Sequence, residues 1–146
     1  PAASNAEAWE WLIGDRNWQP VICSKLGDLF FERAEGGVYW LSCSAGSLEF
    51  AAVDRAAFDE ICRNGGPEVS EWFGPSLIES LHEAGKIAGE GQCYLFITLP
   101  IFEECRYEPD NLAVVPSHEV FAGLANIHRQ IADLPDGSKV QIKVID

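Results

Sequence analysis

Basic side chains are scarce in this sequence of 146 residues. Ten lysines and arginines stand against twenty-three aspartates and glutamates, so the formal net charge at pH 7 is −13. Proteins that bind nucleic acid neutralise its phosphates with lysine and arginine, and a chain this acidic repels both nucleic acid and anionic membranes. We therefore expect no nucleic-acid and no membrane partner, and the charge favours a partner with a basic surface.

Long apolar runs are missing as well. No stretch approaches the roughly 20 apolar residues that a helix needs to span a bilayer. The N-terminal residues lack the basic segment and the apolar stretch of a signal peptide, so we expect a cytoplasmic protein. Hydrophobic residues still make up 47% of the chain and aromatic residues 11%, which is enough to form the core of one domain.

Motifs for catalysis or metal binding are also absent. The sequence has no HExxH, no GxSxG and no glycine-rich loop between a strand and a helix. The five cysteines form no CxxC pair, and their apolar or small neighbours are typical of reduced core thiols. His118 and His128 fall about 15 Å apart along one predicted helix, which is too far to share a metal ion. We therefore expect no enzyme activity, no cofactor and no metal.

The acidic residues are concentrated in the middle of the chain. Residues 54–110 carry twelve acidic and four basic side chains, a net charge of −8, against −4 for residues 1–53 and −1 for residues 111–146. Charge of one sign steers association with an oppositely charged partner. It also keeps many acidic proteins soluble, and the charge alone does not separate these two interpretations.

Turn residues and hydrophobic periodicity predict a single α+β domain with a mainly antiparallel β-sheet and packed helices. Strand-length runs joined by short turns that contain glycine predict an antiparallel meander over residues 20–52. Further strands are expected at 93–99, 112–115 and 139–145, and the segment Pro100–Asp110 is expected to be irregular. Helices are expected over about 5–13, 54–64, 75–85 and 117–134.

The segment 117–134 is predicted to be the longest helix. Its apolar residues recur at alternating intervals of four and three, which places them in one continuous stripe. The stripe consists of Val120, Leu124, Ile127, Ile131 and Leu134. We expect this stripe to pack on the sheet.

A set of short segments, spread over essentially the whole chain, forms a recognisable pattern. They are Trp9-Glu10-Trp11-Leu12, Leu26-Gly27-Asp28-Leu29-Phe30, Gly37-Val38-Tyr39-Trp40-Leu41, Gly46-Ser47-Leu48-Glu49, Glu71-Trp72-Phe73, Gly91-Gln92-Cys93-Tyr94 and Ile127-His128-Arg129-Gln130-Ile131-Ala132-Asp133-Leu134-Pro135-Asp136-Gly137. This pattern resembles a bacterial family of type VI secretion immunity proteins, formerly a domain of unknown function. The last segment is the most specific of the set.

The resemblance implies a function. Named members of the family are immunity partners of type VI DNase effectors, so the resemblance implies a protein that binds a cognate toxin and occludes its active site or DNA cleft. The charge points in the same direction by a separate argument. An inhibitor of a nuclease must cover a basic cleft that binds phosphate, and an acidic surface does this by electrostatic complementarity.

The chain departs from the family pattern in one loop. After Tyr94 the family shows Pro-Pro and then Gly-Gly before a tyrosine, whereas this chain has Leu99-Pro100 and then Glu103-Glu104-Cys105-Arg106-Tyr107. An acidic loop therefore replaces a neutral, flexible turn. This makes the loop a candidate for contacts that are specific to one partner.

The predicted contact residues lie in the acidic middle third of the chain. They are Glu68, Glu71, Trp72, Glu79, Glu83, Glu103, Glu104 and Asp110. Trp72 has two interpretations, because an aromatic residue among carboxylates is typical of an interface anchor, whereas most tryptophans pack in or beside a core.

The alternative function is that of a small metabolite-binding protein or an uncharacterised enzyme. It would require a concave pocket formed by Cys93, Tyr94, His128 and the sheet. A domain with acidic convex patches would favour the inhibitor instead.

Overall fold

Four antiparallel strands form a meander in the computed structural model, which describes residues 6–15 and 17–139. They follow one another along the chain and across the sheet as β1 (Trp18–Cys23), β2 (Leu29–Arg33), β3 (Val38–Ser42) and β4 (Ser47–Ala52). Gly36, Gly37 and Gly46 take positive φ angles in the turns that join the last three strands, as tight hairpin connections require. The predicted meander is confirmed.

The two later strands form a separate hairpin. β5 (Gln92–Phe96) and β6 (Leu112–Pro116) pair antiparallel in a sheet of their own. The prediction of one sheet is therefore wrong. A backbone hydrogen bond from the Tyr94 N–H to the Lys25 carbonyl, 2.7 Å long, joins the hairpin to the turn between β1 and β2 without continuing the ladder.

The hairpin strands differ from their predicted extents. β5 ends at Phe96 rather than Leu99, because the Asn111 side chain accepts from the Thr98 N–H at 2.9 Å and donates to the Thr98 carbonyl at 3.1 Å. This side chain takes the place of the next strand partner. Residues 140–145 of the predicted final strand lie outside the described residues.

The helices begin at the signals that the sequence provides. The helices are α1 (Glu10–Ile13), preceded by a 3₁₀ turn at Ala6–Trp9, α2 (Arg55–Asn64), α3 (Pro67–Phe73), α4 (Pro75–Glu83) and α5 (Ser117–Ile131). The Asp54 carboxylate caps α2 by accepting from the Ala57 N–H at 2.8 Å. Pro67 and Pro75 occupy the first turns of α3 and α4, where a missing N–H costs nothing.

The meander buries both of its faces, because successive residues of a strand point to opposite sides. Phe31 and Leu41 face a cluster that includes Trp9 of the 3₁₀ turn, Tyr94 of β5 and Leu124 of α5. Phe30 on the opposite face joins a second cluster with Phe58 and Trp72, from α2 and α3. The two clusters share one sheet, and the chain forms a single α+β domain.

Helix α5 supplies the predicted stripe in part. Val120 and Leu124 are buried and Ile127 is half-buried, so this part of the stripe packs as expected. The helix ends at Ile131, however, and Leu134 lies beyond it with 46% of its surface exposed. The prediction that the helix and its stripe extend to Leu134 is therefore wrong.

Candidate functional site

The seven predicted acidic contact residues are all exposed. Glu68 and Glu71 lie on α3, Glu79 and Glu83 on α4, and Glu103, Glu104 and Asp110 in the segment between β5 and β6. The spacings of three and four residues on the short helices place each pair of carboxylates on one helix face. In the part of the chain that the structure describes, Asp110 is the one of the seven that forms an ion pair, with Arg106 at 3.0 Å.

Trp72 is not at the surface. Its side chain is 6% exposed, and its ring stacks on Phe58 with centroids 5.5 Å apart and meets Phe30 edge-on at 5.4 Å. The interpretation of Trp72 as an exposed anchor is wrong, and core packing accounts for this residue. Burying an aromatic ring gains more free energy than leaving it among solvated carboxylates.

A cavity of about 430 Å³ lies where the meander, α3, α4 and the segment 97–107 meet. We call it the acidic cavity. Carboxyl groups from three different parts of the chain line it, namely Asp28, Glu49 and Glu71, together with four serines and the aromatic residues Trp40, Phe96 and Tyr107. Among the described residues that line it there is no lysine or arginine. The cavity therefore brings one predicted contact residue, Glu71, together with two acids that were not predicted.

Asp28 is the most deeply buried polar residue that lines the acidic cavity, with 4% of its surface exposed. One carboxylate oxygen accepts from the Cys43 N–H at 3.0 Å, and the other accepts from the Trp40 indole N–H at 3.2 Å. Burial raises the pKa of Asp28 from its ordinary value of 3.8 to about 7, although these hydrogen bonds act in the opposite direction. The carboxyl group is thus poised to lose or gain a proton near neutral pH.

Sequence analysis missed Asp28 because Gly27-Asp28 has the composition of a turn. A usable signal was present in the pairing of the strands. The tight turn between β2 and β3 sets Phe30 opposite Trp40, and this register places Asp28 beside Ser42 on the face that carries Trp40. A polar residue in that position faces other polar side chains rather than solvent.

The segment Pro100–Asp110, predicted to be irregular, contains no strand and no α-helix, and it ends in a 3₁₀ turn at Pro109–Asn111. Asn111 holds the segment in place. Beyond its two bonds to Thr98, the Asn111 amide donates to the Arg106 carbonyl at 2.8 Å. Next in the chain, Tyr107 packs edge-on against Phe96 at 5.0 Å while 63% of its surface stays exposed. These contacts fix an exposed aromatic ring at the rim of the acidic cavity.

A second cavity, of about 560 Å³, lies on the other side of the β3–β4 turn. We call it the histidine cavity, because His128 lines it together with Trp11, Gly46 and residues 131–132 and 134–138. His128 is 4% exposed, and its Nε2 lies 3.1 Å from the Ser44 carbonyl, which can only accept a hydrogen bond. Burial lowers the pKa of His128 below its ordinary value of 6.5, so the ring is neutral at pH 7.

Of the four cavities seen in the described part of the chain, none is lined by Cys93, Tyr94 and His128 together, as the alternative function would require. The Tyr94 hydroxyl donates to the Lys86 carbonyl at 2.7 Å and accepts from the Ala88 N–H at 3.0 Å, so it is occupied in holding the loop before β5. Cys93 is buried, and neither it nor Tyr94 lines the histidine cavity. Cys93 and Tyr94 belong to the same buried cluster, and His128 packs against Trp9 of this cluster with ring centroids 6.1 Å apart.

The thiols and histidines show no arrangement for metal binding. All five cysteines are unpaired, but only Cys43 and Cys93 are buried, so the expectation of core thiols is wrong for the exposed Cys23. His118 is exposed at the start of α5, far from the buried His128. Over residues 6–15 and 17–139, no three histidine, cysteine or acidic side chains are placed to hold a metal ion.

No helix in the described part of the chain is both long enough and apolar enough to cross a bilayer. No family model matches the sequence, and no curated protein matches it either. The resemblance to immunity proteins therefore rests on the quoted segments of the sequence, and the function that it implies is a proposal.

Proposed function

We propose that this protein is an immunity protein that acts in the cytoplasm, where it binds a cognate type VI secretion toxin with DNase activity. Binding would cover the active site or the DNA cleft of the toxin. The observation that carries this proposal is the exposure of all seven predicted carboxylates, which two short helices and one acidic loop present to solvent.

The charge of this surface fits the task. A nuclease neutralises DNA phosphates with lysine and arginine, so its substrate cleft is basic. Six of the seven carboxylates form no ion pair with the described bases of this chain, and they remain available to an incoming basic surface. Complementary charge raises the rate of encounter well above that of neutral proteins.

Glu71 and Tyr107 indicate where the contact is centred. Both line the acidic cavity, Glu71 from α3 and Tyr107 from the segment between β5 and β6, and both are exposed. Energetically dominant contacts in interfaces are enriched in tyrosine and lie near the centre of the buried patch. We therefore place the acidic loop and α3 on the two sides of the contact surface.

A test can begin from the neighbouring gene. We would express the product of that gene, which the proposal expects to be a nuclease, in bacterial cells, with and without this protein, and measure survival and binding. Protection together with a stable complex supports the proposal. If the nuclease is toxic but this protein neither binds nor inhibits it, the two are not partners and the proposed function is overturned.

A charge-reversal pair locates the surface. Glu103→Lys together with Glu104→Lys should weaken binding, whereas Glu35→Lys together with Asp133→Lys is the matched control. The control pair changes the net charge equally at exposed positions outside the predicted surface. Equal losses in both pairs would show that total charge acts rather than the loop.

A further inference from the structure

We propose that the acidic cavity is a receptor for one arginine side chain of the partner. The site consists of Asp28, Glu49 and Glu71, with Trp40 and Tyr107 as aromatic walls. The identity of the partner rests on the proposed function. The preference for a guanidinium group rests on the cavity itself.

The carboxyl groups surround the cavity instead of lying along one element. Asp28 precedes β2, Glu49 belongs to β4 and Glu71 belongs to α3. Glu49 and Glu71 are exposed and Asp28 is buried, so carboxyl groups line the cavity from its rim to its interior. A cation that enters between them interacts with all three, and the interaction strengthens where water is excluded.

Asp28 lacks a counter-charge. The groups that donate hydrogen bonds to it are an indole N–H and backbone N–H groups, and no basic side chain among the described residues pairs with it. A buried carboxylate without an ion pair carries a large desolvation cost. An arginine in the cavity would supply the missing positive charge, and this is the observation that separates the cavity from an ordinary cluster of surface acids.

The aromatic walls favour arginine over lysine. The Trp40 ring is held by its hydrogen bond to Asp28 and by stacking on Phe30, with centroids 6.2 Å apart. Tyr107 is held against Phe96. A planar guanidinium group stacks on aromatic faces and pairs with carboxylates through two parallel hydrogen bonds, whereas an ammonium group does neither.

The volume and the surroundings suit a side chain from another protein. At about 430 Å³, the cavity falls within the range of about 300–1,000 Å³ that is usual for pockets that take small ligands. Tyr107, which lines the cavity, is 63% exposed. Aromatic residues and arginine are both enriched in protein interfaces.

The test is a titration of the ¹⁵N-labelled full-length protein with N-acetyl-arginine amide, followed through the indole N–H resonance of Trp40. N-acetyl-citrulline amide, which has nearly the same shape without the charge, and N-acetyl-lysine amide are the control ligands. We expect a saturable shift with the arginine probe, with a dissociation constant on the order of 1 mM for a ligand of this size. The citrulline probe should give no saturable shift, and the lysine probe should bind more weakly.

Matched variants separate the cavity from the general acidic surface. Glu49→Gln together with Glu71→Gln should weaken binding of the arginine probe roughly tenfold. Glu68→Gln together with Glu83→Gln, which removes the same charge from exposed sites that do not line the cavity, should leave the affinity unchanged. Both pairs replace exposed side chains, so folding is preserved, and the amide spectrum of each variant verifies this.

Three outcomes would overturn the receptor. They are no saturable shift, equal binding of the citrulline or lysine probe, and equal loss of affinity in both variant pairs. None of them bears on the proposed function, because the titration uses no toxin. Conversely, if the cavity binds the arginine probe but the protein protects cells from no nuclease, the arginine site is supported and the proposed partner is excluded.

Discussion

Asp28 and His128 occupy similar positions on opposite sides of the same turn. Each is 4% exposed, each lines a cavity, and each bonds to the backbone of Cys43–Ser44. Burial moves both toward the neutral form, by raising the pKa of the acid and lowering the pKa of the imidazole. The environments differ, because further carboxylates and exposed aromatic residues surround Asp28, whereas His128 is enclosed by α5 and its C-terminal extension. Equal burial therefore places Asp28 beside a cavity that we propose to be a recognition site, and places His128 among packed side chains.

The largest expected effect concerns the pH dependence that Asp28 gives to stability. The unfolded chain loses the Asp28 proton near pH 3.8 and the folded chain near pH 7, so the folded state binds more protons between these values. Stability that Asp28 contributes at low pH is then lost as the pH rises through about 7. A shift of about three pKa units corresponds to roughly 4 kcal/mol.

Asp28→Asn removes this titration while it keeps an acceptor for the Cys43 N–H. We compare the free energy of unfolding of the variant with that of the unsubstituted protein. From about pH 4 to about pH 8, this difference should shift in favour of the variant by roughly 4 kcal/mol. Denaturant titrations at the two pH values measure this. A difference that does not change with pH would show that Asp28 ionises as an exposed aspartate does, and the contrast with His128 would lose its basis.

The next effect tests how tightly the other side is packed. Gly46 has a φ angle of +70°, and a Cβ atom built there would overlap Nδ1 of His128. Gly65 has a similar φ of +64° with no heavy atom within 4 Å of such a Cβ. Gly65→Ala should therefore cost only the strain of the left-handed conformation, about 1–2 kcal/mol. Gly46→Ala should cost about 3 kcal/mol, because overpacking adds to this strain.

Thermal or denaturant unfolding of the two variants measures the difference. Equal losses of stability would mean that the His128 ring moves away freely. The side chains around the histidine cavity would then be packed loosely enough to accept an added methyl group.

The titration of His128 should act in the opposite direction to that of Asp28. Because the folded pKa lies below the ordinary value of 6.5, the stability that His128 contributes is present above pH 6.5 and is lost as the pH falls through its folded pKa. His128→Gln should reduce this loss on the acidic side. His118→Gln, at an exposed site on the same helix, is the control for the substitution itself.

The smallest effect on stability is expected at the acidic loop. Glu103→Lys together with Glu104→Lys should change the free energy of unfolding by no more than about 0.5 kcal/mol, since exposed charges contribute little. Denaturant unfolding checks this at neutral pH. A large loss would mean that the loop supports the fold, and any loss of partner binding in this variant would then have a structural cause.

Local sequence predicted the elements better than their assembly. Turn glycines and strand-length runs predicted the meander, and Asp54 and Pro75 stand at the starts of two predicted helices, because each of these signals acts within a few residues. Helix α3, which begins at Pro67, was not among the predicted helices. The separation of β5 and β6 into their own sheet was not predictable in this way. It depends on contacts such as Asn111 with Thr98, whose residues are thirteen positions apart.

Only those features of the candidate site that depend on neighbouring residues in the sequence were predicted. Exposed glutamates on short helices follow from charge and spacing, and all seven predicted carboxylates are at the surface. Trp72 was ambiguous, because its burial depends on Phe30 and Phe58 from other elements. Asp28 was missed because its partners, Trp40 and Cys43, reach it only after β2 and β3 have paired.

The central claim is that this acidic surface captures a basic toxin. It is tested most directly by the rate constants for association with the nuclease that the proposal expects to be encoded beside it, measured over a range of salt concentrations. We predict that the association rate falls steeply as the ionic strength rises while the dissociation rate changes little, because salt screens the long-range attraction between exposed charges. An association rate that does not depend on salt would contradict the account.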